Sequence, residues 1–373
     1  MNRKQRSLLS AIFLTVVLGL GVASAQTMQT APAAGNDTLA ALPASDLVGF
    51  INLRRILTEV APRVFAKDPA TLAKMMGELA EVDKKTGINI LSIDRIVMGA
   101  RFFGSSMSNL NKEDIGIVII VHGDFDAGTF IAALKRETKG KVDETTYGGK
   151  VVYSEPLPAP PKKKAPREVP AVAIIDSNTL AIGDLPQVHA AIDAAVSGNG
   201  RVDSALVELA ERDESALVGV AGNVPETLRQ ALSNSAPKEE SEKAIVNALL
   251  GLRQVYSSVG APPVGFNIIF GGRFGTTEQA QSVGDMLLGL RNQVSQEIPD
   301  KETRDLLEGV QITAQGDEVQ LKSDVKNEVV QNFIASMMKD EKPAASAKKT
   351  AASASNKAKP STKRRRASRR RRH

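Results

Sequence analysis

The chain has 373 residues, no cysteine, no tryptophan and a formal charge of +6. Without cysteine it has no disulfides, thiolate metal sites, cysteine nucleophile or lipid attachment at an N-terminal cysteine. The charge is unevenly placed: residues 342–373 hold six lysines, seven arginines and no acid, the first 25 add Arg3, Lys4 and Arg6, and 26–341 is left at −10. The basic balance belongs to the ends and says nothing of a basic face on the folded part.

Arg3, Lys4 and Arg6 precede an uncharged apolar run from Leu8 to Val22, closed by Ala23-Ser24-Ala25. These are the parts of a secretory leader, so residues 1–25 are read as a signal peptide. The run falls short of the roughly 20 residues of a spanning helix, which speaks against a retained anchor. Residues 26–38 are small and polar, a flexible lead. Leu47 to Asn52, LVGFIN, reads as a strand. Beyond Pro62 and Pro69, the residues Leu72, Met75, Met76, Leu79 and Val82 recur at helical spacing. IDRIVMGARFF (93–103) and IGIVIIVHG (115–123) read as neighbouring strands, the second apolar enough to be covered on both faces.

Asp126 is placed to cap a helix from Ala127 to Glu137. KVVYS (150–154), AVAIID (171–176) and TLAIG after an Asp176-Ser177-Asn178 turn are further strands. Asp184 is expected to cap the next helix, with Pro186 in its first turn and Gly198 as its stop. Six prolines fall in PLPAPPKKKAPREVP (156–170), which predicts an exposed, extended loop tipped by Lys162, Lys163 and Lys164. That loop is a possible secondary basic site, though an ordinary solvated insertion is the favoured reading of it.

The plan then repeats. LVGF in the first half matches LVGV in SALVGVAGN, and MGARF matches FGGRF in GFNIIFGGRFG. KAIVNALLGLRQVYSSVG (243–260) reads as one helix. Thr276 and Gln279 form a capping box ahead of a helix whose Ala280, Val283, Leu287, Leu290 and Val294 keep three-four spacing. Val310, Ile312 and Ala314 alternate, as do Val319 and Leu321, with Gly316-Asp317 as the turn. The predicted fold is α+β: two similar halves of antiparallel sheet with packed helices, 39–200 and 201–341, then a Lys/Arg-rich tail, 342–373, too polar to order itself.

Little here carries chemistry. His122 ends an apolar strand near Asp124 and Asp126, but a metal site wants at least three converging ligands, and a strand end with a helix cap accounts for them. There is no nucleophile elbow, no phosphate loop, and FGGRFG lacks dinucleotide-binding spacing. Met75-Met76 and Met337-Met338 read as core packing. No catalytic residue, metal or cofactor is expected. The tail is different: Lys363, Arg364, Arg365, Arg366, Arg369, Arg370, Arg371 and Arg372 present guanidinium forks suited to phosphate, so polyanion binding is expected there. Without a recognition helix or stacking aromatics, no sequence-specific readout is expected.

LPASDLVGFINL, AVAIIDSNTLAIGDLPQVHAAIDAA and the repeated sheet-helix plan resemble those of uncharacterised secreted bacterial proteins with a duplicated α+β domain of unknown function. The resemblance covers roughly residues 39–340 and excludes the tail and the lysine-tipped loop. It implies a periplasmic or extracellular, envelope-associated location and carries no catalytic residue over to this chain. The tail's composition resembles the basic tails of linker histones. The leading expectation is an exported, non-catalytic binding or scaffold protein of the cell envelope. Its tail would tether it to an anionic glycolipid, phospholipid headgroup or acidic polymer, and its body would meet an unidentified protein or ligand. The alternatives are a nucleic-acid-binding protein acting through the tail, and a periplasmic enzyme whose site is not visible in sequence.

Overall fold

In a computed structural model, which describes residues 36–103, 115–156, 169–234 and 240–331, Leu47–Ile51 forms β1 and lies at the middle of a twelve-stranded sheet. The other strands are β2 Ile93–Phe102, β3 Ile115–Gly123, β4 Asp143–Tyr147, β5 Lys150–Ser154, β6 Pro170–Asp176, β7 Thr179–Asp184, β8 Ala216–Asn223, β9 Leu252–Gly260, β10 Phe266–Phe274, β11 Gln311–Gln315 and β12 Glu318–Val325. Their order is β11-β12-β10-β9-β8-β1-β2-β3-β7-β6-β5-β4, every neighbour antiparallel. Outward from the β1/β8 seam each side places three strands in chain order and then returns through the rest in reverse, β1-β2-β3-β7-β6-β5-β4 on one side and β8-β9-β10-β12-β11 on the other, and both halves share one sheet. The α+β reading holds.

The repeat is a repeat of elements, not of words. LVGF and LVGV do occupy the two seam strands, yet Leu47 pairs with Gly222 and Phe50 with Gly219. Opposed residues share a face, so Gly49 and Gly219 point to opposite sides of the sheet. A β-carbon on Gly49 would meet Val220 at 3.3 Å, whereas one on Gly219 would strike the Ala210 carbonyl at 2.2 Å and the Phe50 ring at 2.5 Å. The words are thus one residue out of phase with the pleat. MGARF and FGGRF also differ in place, lying on β2 and β10, the second and third strands of their halves.

A second correction concerns 243–260. The helix there stops at Gly251, and Leu252–Gly260 is strand β9. Gly251 breaks the helix, and the β-branched and aromatic residues Val255, Tyr256 and Val259 suit a pleated ladder.

Among the described residues, helices α1 Asn36–Ala40, α2 Pro69–Thr86, α3 Ala127–Glu137, α4 Leu185–Ser197, α5 Ser204–Ala210, α6 Glu226–Ser233, α7 Glu240–Gly251, α8 Thr277–Glu297 and α9 Lys301–Glu308 divide between the two faces, with a helical run at 53–67 after β1. On the first face α5 lies on β8, β1 and β9, and α4 on β6, β7 and β3. Leu206, Leu209 and Ala191 there pack with Val48, Phe50, Val97, Val118 and Ile120, all buried. On the second face α3 puts Ile131 against Val121, Val172 and Leu180, and α8 puts Ala280 and Val283 against Val319.

Helix ends follow the expected chemistry with one exception. The Asp126 carboxylate accepts from the Gly128 amide at 2.9 Å and the Thr129 hydroxyl at 2.7 Å. Thr276 Oγ1 accepts from the Gln279 amide at 3.3 Å. Gly198 ends α4 in the left-handed conformation, φ 71°. Asp184 stands at its expected N-cap position, but its side chain makes no capping bond; Pro186 in the first turn has already removed one donor.

Candidate functional site

The register of the central strands sets three rows of side chains across the second face. One runs Ile119, Met98, Gly49, Val220, Ser257, Phe270 from β3 to β10. Beside it run Ile117, Ala100, Leu47, Gly222, Val255 and, on the other side, Val121, Ile96, Ile51, Val218, Val259, Ile268. Ser257 is the one polar side chain among them. A solvated sheet face would alternate to polar here.

The flanks of this floor are covered, by α3 on the β3/β7 side and by α8 on the β10/β12 side. The middle is not. Met98 is 36%, Ile51 39% and Ile117 40% exposed. Leu47, Val218, Val220, Val255, Val259, Ile268 and Phe270 are half-buried. The expectation that β3 is covered on both faces therefore holds only toward Val121.

The helices beside the floor are also under-buried. α2 packs against α3, and α7 against α8. The α2 stripe Leu72, Met75, Met76 and Leu79 is only half-buried and Val82 is exposed, so these methionines are not the core packing the sequence suggested. Met337 and Met338 lie outside the described residues. In α7, Ile245, Val246 and Leu250 are half-buried and Leu249 is exposed; α6 buries nothing fully. An amphipathic helix ordinarily buries its apolar stripe, and a contiguous exposed apolar patch marks a place of interaction.

Most of the buried polar groups collect on the first face instead, several of them paired with one another. Buried Tyr256 donates its hydroxyl proton to Glu318 and accepts from Gln320 Nε2 at 3.0 Å and from Arg212 Nη1 at 3.0 Å. Arg212 and Arg273 both pair with Glu318. Burial, then the bond to Glu318, pushes the Tyr256 hydroxyl above its ordinary range. Arg95, with its guanidinium 3.9 Å from the centre of the Phe50 ring, bonds Glu211 at 2.7 Å, and burial lowers its pKa. Asp213 accepts from the Ser215 amide at 2.9 Å and from Asn267 Nδ2 at 3.1 Å. Arg63 donates to the carbonyls of Pro262, Pro263 and Gly265 and stacks over Phe266, tying the 53–67 run to the β9–β10 connection. These contacts join elements together; Phe266 alternates in phase with Ile268 and Phe270, so Arg63 lies at the end of the second face, beside the floor, and the other groups named lie on the first.

His122 bonds the Thr179 hydroxyl at 3.0 Å, and Asp126 is spent on its cap. His189 stacks on Tyr147, ring centres 3.8 Å apart, and burial lowers its pKa. Among the described residues no group of three His, Asp or Glu converges as a metal site. Lys162, Lys163 and Lys164, and the tail residues Lys363 to Arg372, lie outside the described residues. Sequence reasoning missed the floor. Its signal was present: β1, β2 and β3 are apolar at successive positions, on both faces of the pleat.

No family model matches the chain, and no curated protein does. Among solved structures, crystal form III of TP0453 from Treponema is 10% identical with a TM-score of 0.41, over 80% of this chain and 97% of that one. Crystal form IV gives 10% and 0.41 over 81% and 99%, and form I gives 9% and 0.40 over 80% and 96%. Among the described residues no helix is long and apolar enough to cross a membrane.

Proposed function

We propose that the chain is an exported, non-catalytic binding protein that takes an acyl-chain amphiphile onto the uncovered centre of its sheet, with the Lys/Arg tail holding it to an anionic envelope surface. The observation that carries this is the apolar floor of β2, β1, β8 and β9, left open between two helix-covered wings. Covering a half-exposed Met or Ile contributes about 1 kcal/mol, so a chain laid over several of them binds without any charged contact. The leader 1–25 supports export, and thirteen basic residues in 342–373 support the tether. Tyr256, Arg212, Arg273, Gln320 and Glu318 are engaged with one another, which supports binding over catalysis.

The test uses the mature chain and a dansyl-labelled fatty acid. Fluorescence should rise on binding, and Met98→Lys or Ile117→Glu should weaken affinity at least tenfold while circular dichroism stays unchanged. Unaltered affinity in both variants defeats the floor reading. Deleting 342–373 should leave the fatty acid bound but abolish sedimentation with phosphatidylglycerol vesicles. Sedimentation that persists defeats the tether, and tail-dependent binding confined to DNA favours the nucleic-acid alternative.

A further inference from the structure

We propose that two copies of this chain associate through β11, edge to edge, about a two-fold axis at Thr313. The inference is independent of the ligand reading. The sheet ends in two unlike edges. β4, at one end, carries Asp143 and Glu144, so a second copy laid against it would crowd four carboxylates onto one seam. β11, at the other, reads Gln311-Ile312-Thr313-Ala314-Gln315, with no charge and no proline. Natural sheets guard their edges with such features, and this edge lacks them.

The backbone sets the register. β11 and β12 are joined through Gly316 and Asp317, so Gln315 and Glu318 close the hairpin as a hydrogen-bonded pair. Alternation then turns the amides and carbonyls of Gln311, Thr313 and Gln315 toward β12, and directs those of Ile312 and Ala314 away from the sheet. An antiparallel copy centred on Thr313 sets Ile312 of one chain opposite Ala314 of the other. These are the two residues whose groups face outward, so the pairing is self-complementary, as a two-fold contact requires. Side chains agree with it. Thr313 meets its own copy, a favourable cross-strand pair, and Gln311 meets Gln315. Ile312 and Ala314, half-buried beneath α8, continue one apolar layer into the other copy.

Sedimentation velocity on the full mature chain, at stepped concentrations, tests this. The unaltered chain should give a dimer. Thr313→Lys, an exposed change that sets lysine against lysine, should weaken the dimer at least tenfold, and so should Thr313→Glu. An equal mixture of the two variants should recover it as a heterodimer. Thr145→Lys on β4 serves as a control and should leave the dimer intact. A monomer at every concentration overturns the proposal, as does a dimer indifferent to Thr313→Lys. A monomer whose Ile312 and Ala314 amides exchange slowly overturns it too, in favour of another strand covering the edge.

Discussion

Single residues here act mostly by closing polar circuits over the sheet. Tyr256 is the clearest case, because its hydroxyl is buried, donates to Glu318 and receives from Arg212 and Gln320. Its folded pKa is raised, so the phenol stabilises the fold below the ordinary tyrosine value of about 10, and that contribution is lost as pH rises through the folded value. Tyr256→Phe should cost about 1 kcal/mol at neutral pH, read by urea unfolding. The gap between the two proteins should narrow above about pH 10. A constant gap would mean that the hydroxyl does not titrate with unfolding. Nothing in the sequence pointed to this circuit, because Arg212, Tyr256 and Glu318 meet only after three strands are paired.

At the scale of elements, legibility followed periodicity and chemistry at the ends. Helix α3 was readable to the residue because Asp126 sits before a clean apolar stripe. Its carboxyl is held below the usual carboxylate range by the Thr129 hydroxyl first and then by the Gly128 amide. A depressed folded value stabilises above the unfolded pKa of about 3.9, and that stability is lost as pH falls through the folded one. Asp126→Ala should therefore lower the melting temperature at pH 7, and the difference should shrink progressively as the pH of the melt is taken below about 3.9. Strand β9 was not readable, since its apolar residues follow on from those of α7 at spacings a helix also accepts, and only Gly251 separates the two. The uncovered floor was hidden for a related reason: a strand apolar at successive positions has the same pattern whether a helix covers it or not. Covering depends on where α3 and α8 come to rest, and that is a tertiary outcome.

For the molecule as a whole, the decisive contact is the β1/β8 seam. The Asn52 amide donates to the Leu217 carbonyl at 2.7 Å, the Asn223 amide to the Asp46 carbonyl at 2.8 Å, and α5 lies across strands of both halves. Glu211 and Arg212, adjacent at the end of α5, reach in opposite directions, to Arg95 on β2 and to Glu318 on β12. Neither half completes its own core. Calorimetry on the mature chain should show one transition with equal calorimetric and van't Hoff enthalpies, and two separable peaks would contradict a shared core. The one-sheet arrangement could not be read from repeated words, since residues that look alike are out of phase across the pleat.

The seam also constrains how the protein is made. The Asn52 side chain bonds the Ala216 carbonyl, 164 residues further along. At ordinary elongation speeds β1 emerges from the ribosome on the order of ten seconds or more before its central neighbour exists. Through that interval the first half lacks the strand that completes its interior, so it cannot close its core until the second half has been made.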